Sequence, residues 1–181
     1  MCALRLSESL TFGNRRLSRH PGFTEGELSP ISVPLTVDVT TDDMITPWEV
    51  EYTFSLLFDD RTIGILAYNL ETVLAKKLET ALPRSIANTR PRDYYDTHIL
   101  YTLRGTKCDN EMLRQALERT TKKRNSSMIL TNYPDIMQEI RESDTLRKLW
   151  EKYSREYEYA KDISFEDTCN SIQTIMSAIM A

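Results

Sequence analysis

Two opposite charges fall on the apolar faces of two consecutive helical patterns, and this is the feature that most restricts what the chain can become. From Asn69 to Leu103 it reads NLETVLAKKLETAL, a short linker, then NTRPRDYYDTHILYTL, with apolar residues every three to four positions in both halves. At about 100° per residue, Leu70, Val73, Leu74, Leu78 and Ala81 form one arc with Lys77 inside it, while Lys76 and Glu79 point away. In the second half Tyr95, Ile99, Leu100 and Leu103 define the face, with Asp96 in its middle and Asp93 on its edge. Desolvating an unpaired charge costs on the order of several kcal/mol, and even a paired buried ion is often no better than an apolar substitute. The open readings are a structural Lys77–Asp96 salt bridge, a Lys77 that snorkels to solvent, or a polar functional site. Arg90 and Arg92, just ahead of the second helix, add cations to the same neighbourhood, a combination suited to phosphate.

The flanking sequence supplies a few strands before these helices and more helices after them. Leu35, Val37 and Val39 alternate with Thr36, Asp38 and Thr40, a period of two that predicts a strand with Asp38 on the face opposite Val37. Two more strands, over about 51–58 and 62–67, meet near Asp59 and Asp60. The three strands make a partial antiparallel sheet, which the Leu70 helix is expected to cover. Beyond Leu103 the pattern is helical: Asp109 is a cap for a helix to about Lys122, and Asn125 to Ser127 break it. Pro134 fits the first turn of the next helix, and Ser143 opens another, LRKLWEKYSREYEYA. Ser164 with Asp167 has the form of a capping box before the stripe Phe165, Thr168, Ile172, Ile175, Met176 and Ile179. The fold class is α+β. Residues 1–32 contain Gly13, Pro21, Gly22, Gly26 and Pro30 without a sustained period, so no regular element is expected there.

Composition excludes several function classes. At 181 residues, with 28 % charged and 40 % hydrophobic residues, the chain is one ordinary globular domain. Cys2, Cys108 and Cys169 lack metal-ligand or disulfide spacing, and with only His20 and His98 a histidine-based triad or metal cage has little support. No apolar run approaches the 18 or so residues of a membrane span, so no membrane association is expected and a cytoplasmic location is. The net charge of −4 argues against a general nucleic-acid coat, yet residues 84–124 hold ten Lys and Arg against five Asp and Glu. That surplus is either a solvated helix face or a local contact for a phosphate backbone.

LETVLAKKLETAL followed by RPRDYYD resembles the lysine motif and the R-x-K-D-x-x-D motif of the AbiEii/AbiGii toxin family, nucleotidyltransferase-like proteins of type IV toxin–antitoxin and abortive-infection phage-defence systems. VPLTVDVTTDDMITP at 33–47, RTIGILAYNLET at 61–72 and LWEKYSREYEYAKDISFEDTC at 149–169 are further matches, so the resemblance runs from about Val33 to the C-terminus. It implies a nucleotidyltransferase-like sheet remnant over 33–68 and a helical region over 69–181, after a non-matching segment at 1–32. It also implies an Mg²⁺-dependent transferase acting on an NTP, such as GTP, with an RNA acceptor such as tRNA and an antitoxin encoded nearby. By the same resemblance Asp38 would be a catalytic carboxylate and metal ligand and Lys77 would contact nucleotide phosphate. Asp93 or Asp96 would complete a polar network that orients Lys77 or the nucleotide, and Arg90 and Arg92 would assist with phosphate.

Three departures qualify this. Arg92 stands where the family pattern has lysine, Asp42 stands where it has glycine in a T-T-G-D turn, and no G-S-x-x-x-D-x-D occurs anywhere. Since the family's two principal metal ligands belong to that last motif, the sequence leads us to expect a truncated, weakly active or inactive protein. The alternative is a non-catalytic helical module that binds antitoxin or RNA.

Overall fold

A computed structural model describes the backbone of residues 21–28 and 31–38, and residues 43–57 and 60–181 in full. The chain divides into two compact units: one holds the strands, and the other comprises Met44–Pro47 with Asn69–Ala181.

In the strand unit β1 (Pro21–Leu28) pairs antiparallel with β2 (Ile31–Asp38), and β3 (Val50–Ser55) pairs antiparallel with β4 (Thr62–Ala67). The partial sheet expected from the sequence is thus two separate two-stranded ladders, each closed between neighbours in sequence. Pro21–Leu28 forms a strand where no regular element was expected, because cross-strand pairing with β2 orders a segment that lacks a period of its own. Val39, Thr40, Asp42 and Asp59 lie outside the described residues. In the second ladder Val50, Tyr52 and Phe54 stand opposite Ala67, Ile65 and Ile63, so alternation gathers six apolar residues on one face. Every residue of β3 is exposed.

The helical unit is built from six helices. α1 (Leu70–Ala81) is capped by Asn69, whose side chain accepts from the Thr72 amide. Thr46 anchors the preceding loop: its amide donates to Thr72 Oγ1 at 3.0 Å, and its carbonyl accepts from Asn69 Nδ2 at 2.6 Å. α2 (Pro91–Arg104) begins with Pro91 in its first turn, where the missing amide hydrogen leaves no bond unmade. At its end Gly105 abuts Tyr101, and a Cβ there would lie 2.9 Å from the ring. α3 (Asn110–Arg124) starts on Asp109, which accepts from the Met112 amide. It stops at Asn125, whose φ of 56° is the left-handed turn that ends many helices. α4 (Ile129–Glu142), α5 (Asp144–Glu156, capped by Ser143) and α6 (Phe165–Met180, opened by the Ser164–Asp167 capping box) complete the unit. All six residues of the expected α6 stripe are buried.

The core gathers Leu74 and Leu78 of α1, Leu113 and Leu117 of α3, Met137 and Ile140 of α4, and Ile172 and Met176 of α6. α1 packs chiefly on α3 and α2, so the apolar arc assigned to covering a sheet is occupied by helices. Pro134 lies inside α4 rather than in its first turn. The helix begins earlier because the Leu130 and Thr131 amides close tight turns onto Ser127 and Met128.

Candidate functional site

The site is the meeting of α1 and α2 that the inward charges foretold. Lys77 Nζ lies 2.7 Å from Asp96 Oδ2 and 3.0 Å from Asp93 Oδ1, donating a hydrogen bond to each. Arg90 Nε stands 3.1 Å from Asp93 Oδ2, and Arg92 Nε 3.8 Å from Asp96 Oδ2. The geometry of the Arg90 contact is that of an ion pair without a hydrogen bond, since Asp93 Oδ2 has no bonded donor. Local sequence produces this arrangement directly. Pro91 fixes where α2 begins, so Asp93 sits in the first turn beside the positive end of the helix dipole. Asp96 follows at i+3 on the same side, and Arg90 and Arg92 flank the entry.

Burial divides the cluster into an inner and an outer part. Lys77, Asp93 and Asp96 keep 15 %, 2 % and 17 % of their side chains exposed, against 56 % for Arg90 and 59 % for Arg92. The wheel reading of α2 was rotated relative to this: Asp93, expected at the edge, is the deeper carboxylate. Tyr94 and Thr97 are buried, while Leu103 is 69 % exposed. The reason is packing against α1 and α6, which draws the Asp93–Tyr94–Thr97 side inward at the expense of the more apolar stripe.

Three cations against two carboxylates leave one net positive charge. That suits an anion and does not suit Mg²⁺, because an ammonium already lies between the two carboxylates that would ligate it. No group of three His, Cys, Asp or Glu among the described residues could hold a metal ion. Asp38 ends β2, in the other unit, and its side chain lies outside the described residues.

Sequence reasoning missed two buried carboxylates on the same helix. Glu79, read as pointing away, is 6 % exposed; it takes Ser126 Oγ at 2.9 Å and pairs with Arg124. Glu71 is buried too and accepts the Asp109 amide at 3.0 Å. The cationic end of α3, just before a polar break, was the available signal for Glu79. Elsewhere, His98 Nδ1 and Ser171 Oγ lie 2.8 Å apart beside an open polar cleft of about 430 Å³ bordered also by Thr102, Asp167 and Asn170. His20 lies outside the described residues.

Comparison with known proteins places the chain. No curated protein and no solved structure matches it. Among the described residues, no helix is long and apolar enough to cross a membrane. A family model described as the nucleotidyl transferase AbiEii toxin of type IV toxin–antitoxin systems matches residues 8–173, beginning well ahead of Val33. With nearly its whole length inside that match, the chain belongs to the AbiEii nucleotidyl transferase toxin family.

Proposed function

We propose that the Lys77–Asp93–Asp96 cluster, with Arg90 and Arg92, receives the phosphates of an NTP in a reaction that transfers a nucleotide to RNA, with tRNA the acceptor class and GTP among the donors. The observation that carries this reading is the Lys77 ammonium held between two carboxylates, with two exposed guanidinium groups at the rim. In nucleotidyl transfer the acceptor hydroxyl attacks the α-phosphorus, the bond to the β-phosphate oxygen breaks, and pyrophosphate carries the electron pair away. Positive groups placed where that charge develops lower the barrier. Arg90 and Arg92 present planar forks matched to phosphate oxygens. The carboxylates fix the Lys77 ammonium so that no side-chain ordering is needed when a nucleotide arrives.

Family chemistry of this type uses Mg²⁺, and Asp38 is the carboxylate we assign to it. A single carboxylate falls short of a two-metal site, and the sequence has no G-S-x-x-x-D-x-D to supply the others. Binding of NTP without efficient turnover is the consequence. That same absence favours a second reading, in which the helical unit acts by binding a cognate antitoxin or RNA.

The purified chain, Mg²⁺, each labelled NTP in turn and bulk tRNA test these statements together. The expected result is NTP binding that Lys77→Ala weakens, with little label reaching RNA. Robust transfer abolished by Lys77→Ala would overturn the inactivity, and failure to bind any NTP would remove the phosphate site.

A further inference from the structure

Beside the cation cluster, four tyrosines form a continuous ring surface that packing alone does not explain. Tyr95 comes from α2, Tyr153 from α5, Tyr157 from the residue that ends α5, and Tyr159 from the single 3-10 turn Glu158–Ala160. Ring centroids are 4.8 Å apart for Tyr95–Tyr159, 4.7 Å for Tyr153–Tyr157 and 5.3 Å for Tyr157–Tyr159, the last pair inclined by only 29°. The inner member, Tyr153, is 9 % exposed and belongs to the core, whereas Tyr157 and Tyr159 are 37 % and 52 % exposed. A core needs no such pair of large rings at its surface.

The exposed rings are also held in place. The Tyr153 and Tyr159 hydroxyls are 3.1 Å apart, within hydrogen-bond distance, so the outer ring is tied to a buried one. Arg92 lies close enough for its charge to act on the Tyr153 and Tyr157 hydroxyls. Glu156 also acts on the Tyr157 hydroxyl, and Glu158 is its neighbour in sequence, so a polyanion lying on these rings would be attracted at Arg92 and repelled at these carboxylates. Ordered, part-exposed aromatic rings next to a guanidinium group are the combination by which proteins hold unpaired bases and the phosphates between them.

We propose that Tyr157 and Tyr159 stack the unpaired bases of a single-stranded RNA whose phosphates run onto Arg92 and Arg90. The proposal takes from the reading above only the class of acceptor, and it makes the ring surface the acceptor's seat beside the nucleotide's. An RNA strand is favoured over the base of the NTP itself because two rings are part-exposed where one base needs one, and both are more open than the buried Lys77–Asp93 pair.

Fluorescence anisotropy of the full chain with a labelled single-stranded RNA, without nucleotide, tests it apart from transfer. Single-stranded RNA is expected to bind more tightly than a duplex of the same sequence. Tyr159→Ala should weaken binding about tenfold, as loss of one base–aromatic stack does, while Tyr159→Phe retains it. Tyr159→Leu, similar in bulk but without a ring, should resemble the alanine variant. Arg92→Ala should flatten the dependence of binding on salt. Circular dichroism of each variant checks the fold, which a half-exposed ring does not determine. Equal binding by wild type, Tyr159→Ala and the Tyr157→Ala/Tyr159→Ala double variant would overturn the proposal. So would absence of RNA binding, or displacement of the RNA by NTP with the same tyrosine dependence, which would assign the rings to the nucleotide's base. RNA binding that depends on Tyr159 in a chain that binds no NTP would refute the nucleotide site and leave this one standing.

Discussion

Asp93 and Asp96 share one ammonium, yet Asp93 is the more deeply enclosed, with 2 % of its side chain exposed against 17 %. The two carboxylates are therefore unequal in stability even where they serve one site. Asp93→Ala takes one of two counter-charges from a Lys77 ammonium that keeps only 15 % of its side chain exposed, a loss of about 1.5–3 kcal/mol. Asp96→Ala, at the wetter end, should cost well under half of that. Urea unfolding of both variants measures the difference, and equal midpoints would mean that burial does not separate their roles.

Binding and stability should come apart at the rim. Arg90 and Arg92 are more than half exposed, so their ion pairs contribute about 0–1 kcal/mol to the fold, whereas a charged hydrogen bond to phosphate is worth about 1.5–3 kcal/mol. Arg92→Ala is expected to lower NTP affinity about tenfold or more with an unchanged melting temperature. Arg92→Lys should recover only part of it, because an ammonium has one point of contact where the guanidinium fork has two. Isothermal titration beside a thermal melt reads both quantities.

The described thiols should be slow. Burial pushes the Cys169 thiol up to about 12 and the Cys108 thiol to about 11, from an ordinary value of 9.0. In a Cys2→Ser variant, iodoacetamide at pH 8 should label the native protein far more slowly than the unfolded one, since the thiolate is the reactive species. The same shifts set an alkaline limit. Above about pH 9 the unfolded chain releases protons that the native state retains, so stability is whole below that pH and falls as pH rises towards the folded values. Alkaline denaturation that begins later in a Cys169→Ala variant checks the sign.

The start of α6 offers a simpler test. Ser164 Oγ accepts the Asp167 amide at 3.0 Å, and Asp167 Oδ2 accepts the Ser164 amide, also at 3.0 Å. Ser164→Ala should cost about 1 kcal/mol. The Ser164 hydroxyl, which donates to Asp167 Oδ2 at 2.6 Å, and after it the Ser164 amide hold the Asp167 carboxyl below its ordinary value. Its contribution is present at neutral pH and is lost as pH drops below about 3.8. A wild type and an Asp167→Asn variant that converge in stability only under acid would bear this out.

The sequence was most informative where local chemistry decides structure. The caps at Asp109, Ser143 and Ser164, and the stripe from Phe165 to Ile179, each follow from side chains a few residues apart, and they stand where the spacing put them. Inward charges on two amphipathic helices were enough to bring Lys77 towards Asp96. Long-range packing was not legible. The side of α2 that turns inward is chosen by α1 and α6, so Tyr94 displaced the more apolar stripe. Glu79 looked solvated because its partners, Arg124 and Ser126, are more than 40 residues away. The strand pairing of Pro21–Leu28 depends on a neighbour the segment's own residues do not announce. The sequence LRKLWEKYSREYEYA likewise gave no sign that Tyr159, beyond α5, would carry its aromatic rings out to the surface.

An ammonium group carries three hydrogens, and Lys77 directs two of them at Asp93 and Asp96. Among the described residues nothing takes the third. On the proposed phosphate-binding reading, an incoming oxyanion would complete the tetrahedral set without evicting either carboxylate, through a single added contact.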